Sequence, residues 1–165
     1  MSLAIDWIFT RRGVDPMDFL DDVFRYSYAR LGQREEAEDV AIEVVQALPN
    51  PCKRRDLRVY MLGMARRKIA DRFRRARPTL EVREADATFR FDREIDEATV
   101  VAQTLNTLSA DHREVLTLKY VIGLSSQEIG TLLGKRPDAI DSLLQRARDA
   151  FSHSWQGLTS DEVIR

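Results

Sequence analysis

Eleven of the 25 residues from Lys53 to Arg77 are lysine or arginine, and only Asp56 and Asp71 oppose them. Cations at this density neutralise phosphates, so the chemistry they offer is binding rather than bond-making. Leu62, Ala65, Ile69 and Phe73 recur through the run at helical spacing. That periodicity predicts an amphipathic helix with Arg66, Lys68, Arg72, Arg74 and Arg75 around the rest of the cylinder. Tyr60 opens the stretch and has two readings: a core aromatic, or a π-face on which an unpaired base stacks for about 1–3 kcal/mol.

A second set of groups lies between Arg136 and Arg148. Arg136, Ser142, Gln145, Arg146 and Arg148 suit phosphates and base edges, while Asp138 and Asp141 place negative charge among them. An aspartate accepts from the amino group of cytosine but repels phosphate. The third set is acidic. From Asp15 to Leu48 nine acids, among them Glu38, Asp39 and Glu43, stand against three bases. A net charge of −1 for the whole chain therefore hides a strong sorting of sign along it. One end is fitted to a basic partner and the next to phosphates.

Other chemistries find no footing. A metal-dependent nuclease built on Asp21, Asp22 and Glu38 is disfavoured, because Asp21 and Asp22 are adjacent and point differently on a helix. No glycine-rich phosphate loop or nucleophile elbow occurs. Cys52, His112 and His153 are too scattered for a zinc site, so no metal or cofactor is expected. One cysteine excludes an internal disulfide and fits a reducing cytoplasm. Nothing approaches the roughly 18 apolar residues of a membrane span, and residues 1–9 do not read as a signal peptide.

The elements that must position these groups are helical. At 44% hydrophobic and 32% charged, the chain reads as folded and helix-rich. Leu124-Ser125-Ser126-Gln127-Glu128-Ile129 spells a capping box, in which Ser125 and Glu128 satisfy each other's backbone amides. Ile129, Leu132 and Leu133 then form a short apolar stripe, and Gly134 follows where the chain needs a left-handed residue. After a turn at Lys135-Arg136, Pro137 suits the first position of a second helix with Ile140, Leu143, Leu144, Ala147 and Phe151 on one face. Two helices joined by a tight glycine-containing turn make a helix-turn-helix, the supersecondary unit that reads DNA.

Residues 78–97 lack apolar periodicity and carry seven acids against three bases, which reads as a flexible acidic linker. The expectation is an all-α protein of two small helical domains: an extension at 1–15, a first domain at 16–77, the linker at 78–97, a helix-turn-helix domain at 98–155 and a tail at 156–165. Whether the two domains pack together is left open by a linker of this length.

In this order and spacing, four stretches resemble the bacterial RNA polymerase sigma factors of the extracytoplasmic-function (ECF) group of the sigma-70 family. They are Ala37-Glu38-Asp39-Val40 with Glu43, Met64 through Arg75, Leu108 through Tyr120, and Gly123 through Arg148. The resemblance implies a non-catalytic, cytoplasmic initiation subunit without membrane insertion. It implies that Glu38, Asp39 and Glu43 dock on the clamp helices of the largest polymerase subunit. It assigns Tyr60, Arg66, Arg67, Lys68, Arg72, Arg74 and Arg75 to opening and capturing the minus-ten element. Arg136, Asp138, Asp141, Ser142, Gln145, Arg146 and Arg148 fall to the minus-thirty-five element, with the second domain resting on the flap of the second-largest subunit. Promoter DNA, core polymerase and an anti-sigma factor are the implied partners.

The departures are informative. Ile42 stands where the family has glutamine, Arg67 where its base-capturing loop carries asparagine, and Tyr60 where tryptophan is usual. The recognition helix reads Ala139-Ile140-Asp141-Ser142-Leu143, without the expected cations. The alternative reading is a stand-alone helix-turn-helix regulator that does not need core polymerase.

Overall fold

The computed structural model describes residues 15–49, 56–76 and 97–162. Among these residues the fold is all-α, with seven α-helices and no strand. They are α1 (Leu20–Leu31), α2 (Arg34–Gln46), α3 (Leu57–Ala76), α4 (Glu97–Thr107), α5 (Ala110–Leu116), α6 (Ser126–Leu133) and α7 (Pro137–Glu162). A 3₁₀ turn, Pro16–Phe19, leads into α1, and a π-helical turn, Thr117–Val121, follows α5. The expected extension and linker lie outside the described residues, except Asp15 and Glu97, and Glu97 already begins α4. Of the expected tail, residues 156–162 lie in α7, which runs to Glu162.

Local chemistry explains the helix-turn-helix. Ser125 Oγ accepts from the Glu128 amide at 3.2 Å, and Glu128 Oε2 accepts from the Ser125 amide at 2.8 Å. The reciprocal pair satisfies two of the orphan donors that every helix start leaves. These bonds hold the Glu128 carboxyl below its ordinary range, the backbone amide of Ser125 being the largest cause. At the other end Gly134 closes α6 at φ 67°, ψ 33°, a left-handed conformation costly for a residue with a Cβ. Gly130 has a different reason. A Cβ there would lie 2.6 Å from the Lys135 carbonyl oxygen, so the turn between α6 and α7 closes only over a bare backbone.

In the first half, α1 packs on α2 and α3, burying Val23, Tyr26, Val40, Val44, Met61, Leu62 and Ile69. In the second, α4, α5 and α6 pack on α7 around Val115, Leu118, Ile129, Ile140, Leu144 and Ala147. The predicted stripes are recovered, with Phe73, Leu132, Leu133 and Phe151 half-buried at their edges. The halves do not stand apart. The core runs through both, with α3 against α6 and α1 against the π turn.

Two changes test this account. Gly130→Ala adds helix propensity of about 1 kcal/mol but forces the turn open. Its net effect should be a loss of about 1–3 kcal/mol, the cost typical of overpacking, read as a lower thermal midpoint. For Glu128 the folded pKa is depressed, so its contribution is present above the ordinary carboxyl pKa of about 4.3 and is lost as pH falls through the lower folded value. Thermal melts of Glu128→Gln and the parent chain should therefore differ at neutral pH and converge in acid below about pH 4.

Candidate nucleic-acid interface

The acidic set sits on α2 but does not act as one surface. Asp39 is exposed. Glu38 is about half exposed and accepts from Arg34 Nε at 2.8 Å one turn earlier. Glu43 turns toward α3, where it accepts from Lys68 Nζ at 3.1 Å and Arg72 Nη2 at 2.7 Å. The bond from Lys68 is the main cause that holds its carboxyl below the ordinary range, with Arg72 adding to it against partial burial. Arg72 Nη1 also donates to the Glu36 carbonyl at 2.8 Å. The residues assigned from sequence to a protein partner and to DNA are thus partly each other's partners.

The remaining cations of α3 divide by position. Arg67, Arg74 and Arg75 are exposed, and Arg74 pairs with Asp71 within its own helix. Tyr60 is half-buried and packs against the core. With Asp56, Val59, Gly63, Met64 and Arg67 it lines a cleft of about 400 Å³ whose other wall is Thr131 and Leu132 of α6. Of the residues that the resemblance gives to melted DNA, Tyr60 and Arg67 thus face the helix-turn-helix across this cleft.

Arg66 faces a buried junction between the halves. Glu114 of α5, with a side chain 8% exposed, accepts from Tyr26 Oη at 2.6 Å and from Arg30 Nη1. Arg66 Nε lies 3.6 Å from the same carboxylate, close enough for an ion pair and beyond a good hydrogen bond. Burial, followed by the charge of Glu114, pushes the Tyr26 phenol well above its ordinary pKa, so it stays a donor. Nearby, Arg58 Nε donates to Asp22 at 2.7 Å and its Nη2 to the Ile122 carbonyl at 2.5 Å, a second tie across the halves. The adjacent Arg113 is structural, donating to the carbonyls of Leu105, Asn106 and Leu108 at the end of α4.

On α7, Asp138, Ser142, Gln145 and Asp149 form an exposed stripe opposite Ile140, Leu144 and Ala147. Asp138 lies 3.6 Å from Arg136, both being exposed. Asp141 accepts from Ser126 Oγ at 2.5 Å and so ties the first turn of α7 to that of α6. Ser142 Oγ donates to the Asp138 carbonyl, and Arg146 Nε to that of Ser142. Arg148 donates to Tyr120 Oη at 3.4 Å and to Gln145 Oε1 at 3.1 Å.

Sequence reasoning missed Tyr26, Arg30, Glu114, Arg58 and Tyr120. The available signal was a carboxylate set against the apolar run Val115–Leu118, since a charge in such company is buried only when paired. Its partners are 84 and 88 positions away. Tyr120 carried no periodic signal, because the π turn shifts the helical register and leaves it 60% exposed.

Comparison with known proteins follows the same lines. Residues 99–151 match the family described as Sigma-70, region 4. The ECF RNA polymerase sigma factor SigD of Mycobacterium tuberculosis is 35% identical over 149 residues, covering 77% of this chain and 70% of that protein. SigC, an ECF sigma factor of the same organism, is 31% identical over 141 residues, with coverages of 79% and 75%. BldN of Streptomyces coelicolor is 29% identical over 143 residues, covering 78% of this chain but 54% of its own length, so the chain spans about half of that relative. The sigma factor RpoE of Bartonella quintana, solved in complex with the anti-sigma factor NepR, shares the fold at a TM-score of 0.63 and 17% identity, over 85% of this chain and 93% of that one. A chain with this helix-turn-helix, this fold and these relatives belongs to the ECF group of RNA polymerase sigma factors.

Proposed function

We propose that this chain binds RNA polymerase core and directs it to promoters as a non-catalytic initiation subunit in the cytoplasm. The division into a first domain at 16–77 and a helix-turn-helix domain at 98–155 carries the two tasks. The observation that carries the reading is the segregation of charge onto successive elements: acids exposed on α2, cations on α3, and a helix-turn-helix beyond. Glu38 and Asp39 form the surface offered to the clamp helices of the largest subunit. Glu43 supports that surface from behind by fixing α2 to α3, which restricts its direct role. Arg67, Arg74 and Arg75, with Tyr60, are the groups offered to the minus-ten element. The helix-turn-helix takes the minus-thirty-five element and rests on the flap of the second-largest subunit. An anti-sigma partner, of the kind bound by the Bartonella neighbour, is the regulator this reading implies.

Promoter engagement requires the halves to part. Elements centred about 25 base pairs apart lie about 85 Å apart along the duplex at 3.4 Å per step. A folded chain of 165 residues has a radius of gyration of about 15 Å. The packed form cannot touch both elements. The 20 residues from 77 to 96 can reach at most about 70 Å when extended, which with the domains' own width suffices. We read the Glu114 junction as what fixes the register of the packed form, and binding to core as what shifts the population away from it.

Reconstitution with bacterial core polymerase tests the function. Asp39→Arg should weaken co-elution with core more than about ten-fold, through like charge set against a basic surface. Arg74→Glu with Arg75→Glu should keep core binding and lose promoter opening in run-off transcription. A parent chain that ignores core yet shifts duplex DNA would instead make it a stand-alone regulator.

The packing has its own test. Glu114→Ala leaves Arg30 buried without its carboxylate, at a cost of about 3–5 kcal/mol to the packed form. Small-angle scattering should show a larger radius of gyration at unchanged helix content, with a smaller effect from Tyr26→Phe. An unchanged radius in Glu114→Ala would show that the apolar contact between α3 and α6 suffices alone.

A further inference from the structure

Resting on the promoter-reading role above, we infer that the specificity-determining residue of the recognition helix is Gln145, and that it reads adenine. Its carboxamide has two N–H donors and one oxygen with two lone pairs. Gln145 Nε2 donates to Asp149 Oδ1 at 3.1 Å, and Arg148 Nη2 donates to Gln145 Oε1 at 3.1 Å. An arginine can only donate and a carboxylate only accept, so this pair of neighbours fixes which way the amide faces. One N–H and one lone pair remain. They match the N7 acceptor and N6 donor that adenine alone presents side by side in the major groove.

The group is also held for the purpose. Arg148 is anchored on its far side by Tyr120 Oη at 3.4 Å, and the π turn is what brings that phenol out to the flank of α7. Tyr120, Arg148, Gln145 and Asp149 thus form one hydrogen-bonded row across the exposed surface. Ordering the amide before binding removes rotamer entropy that a free glutamine would lose on the DNA.

The neighbours that might compete are otherwise engaged. Asp141, the residue that could take the amino group of cytosine, accepts the Ser126 hydroxyl at 2.5 Å across the helix-turn-helix. It is a positioning residue that braces α7 against the start of α6, where an anion is also favoured by the helix dipole. Ser142 donates into its own helix, to the Asp138 carbonyl at 2.9 Å. Arg146 bends back to the Ser142 carbonyl through Nε at 3.3 Å, which leaves its terminal nitrogens for phosphate. An acidic recognition helix can therefore read DNA, with Asp141 and Asp149 engaged by protein partners.

The test is selection of promoter sequences from a pool randomised across the upstream element, with the full chain reconstituted on core polymerase. The parent chain should enrich adenine at one position, with about ten-fold or greater preference over the other bases. Gln145→Ala should erase that preference while leaving enrichment elsewhere. Tyr120→Phe should weaken the same position selectively, which a loss of general stability would not do. A preference unchanged in Gln145→Ala overturns the assignment while leaving the promoter-reading role intact. Failure of the parent to enrich any upstream sequence, though it binds core, overturns both.

Discussion

A carboxylate withdrawn from water must be met by donors on several sides, and Glu114 finds its donors on the other half of the molecule. Tyr26 and Arg30 belong to α1, Arg66 to α3, and Glu114 to α5. An ion pair of this kind contributes little net stability, because desolvation offsets most of the attraction. What it supplies is orientation. Apolar contact between α3 and α6 tolerates sliding, whereas a carboxylate with two directional hydrogen-bond donors and a third cation beside it admits one register. The cleft between Tyr60 and Leu132 inherits its shape from that register, which sets Tyr60 and Arg67 of α3 against α6.

The same economy of charge appears at α2 and α3. Lys68 and Arg72 are cations in a stretch suited to phosphate, and Glu43 is an acid in a stretch suited to a basic protein, yet the three hold one another. These pairs are partly exposed, so each is worth little in isolation. Their consequence is that the exposed acids of α2 and the exposed cations of α3 are rigidly related. Binding at one surface is felt at the other through a fixed angle rather than through a flexible joint.

What was legible in the sequence was local. The capping box at Ser125 and Glu128, the left-handed Gly134 and the apolar stripes of α3, α6 and α7 all depend on residues within a few positions of one another, and all are present as read. The charge sorting was legible too, but its meaning was not complete. Glu43 reads as surface because the cations that cover it are 25 and 29 positions away on the neighbouring helix. Glu114 reads as one more helical acid because its donors lie in the other half. Asp141 reads as a departure from a basic recognition helix until Ser126 is seen beside it.

The length of α7 adds a mechanical property. Twenty-six residues at 1.5 Å per residue make a rod of about 39 Å. Near its start it carries the reading stripe, and further on Phe151 stacks on Trp155 with ring centroids 5.9 Å apart. Trp155 is ten positions from Gln145, about 15 Å along the axis. Because α4, α5 and α6 all pack on this rod, the whole C-terminal half turns with it. Leverage applied at the aromatic end re-aims the reading end, and a swing of about ten degrees shifts it by nearly 3 Å, the difference between a formed and a broken hydrogen bond.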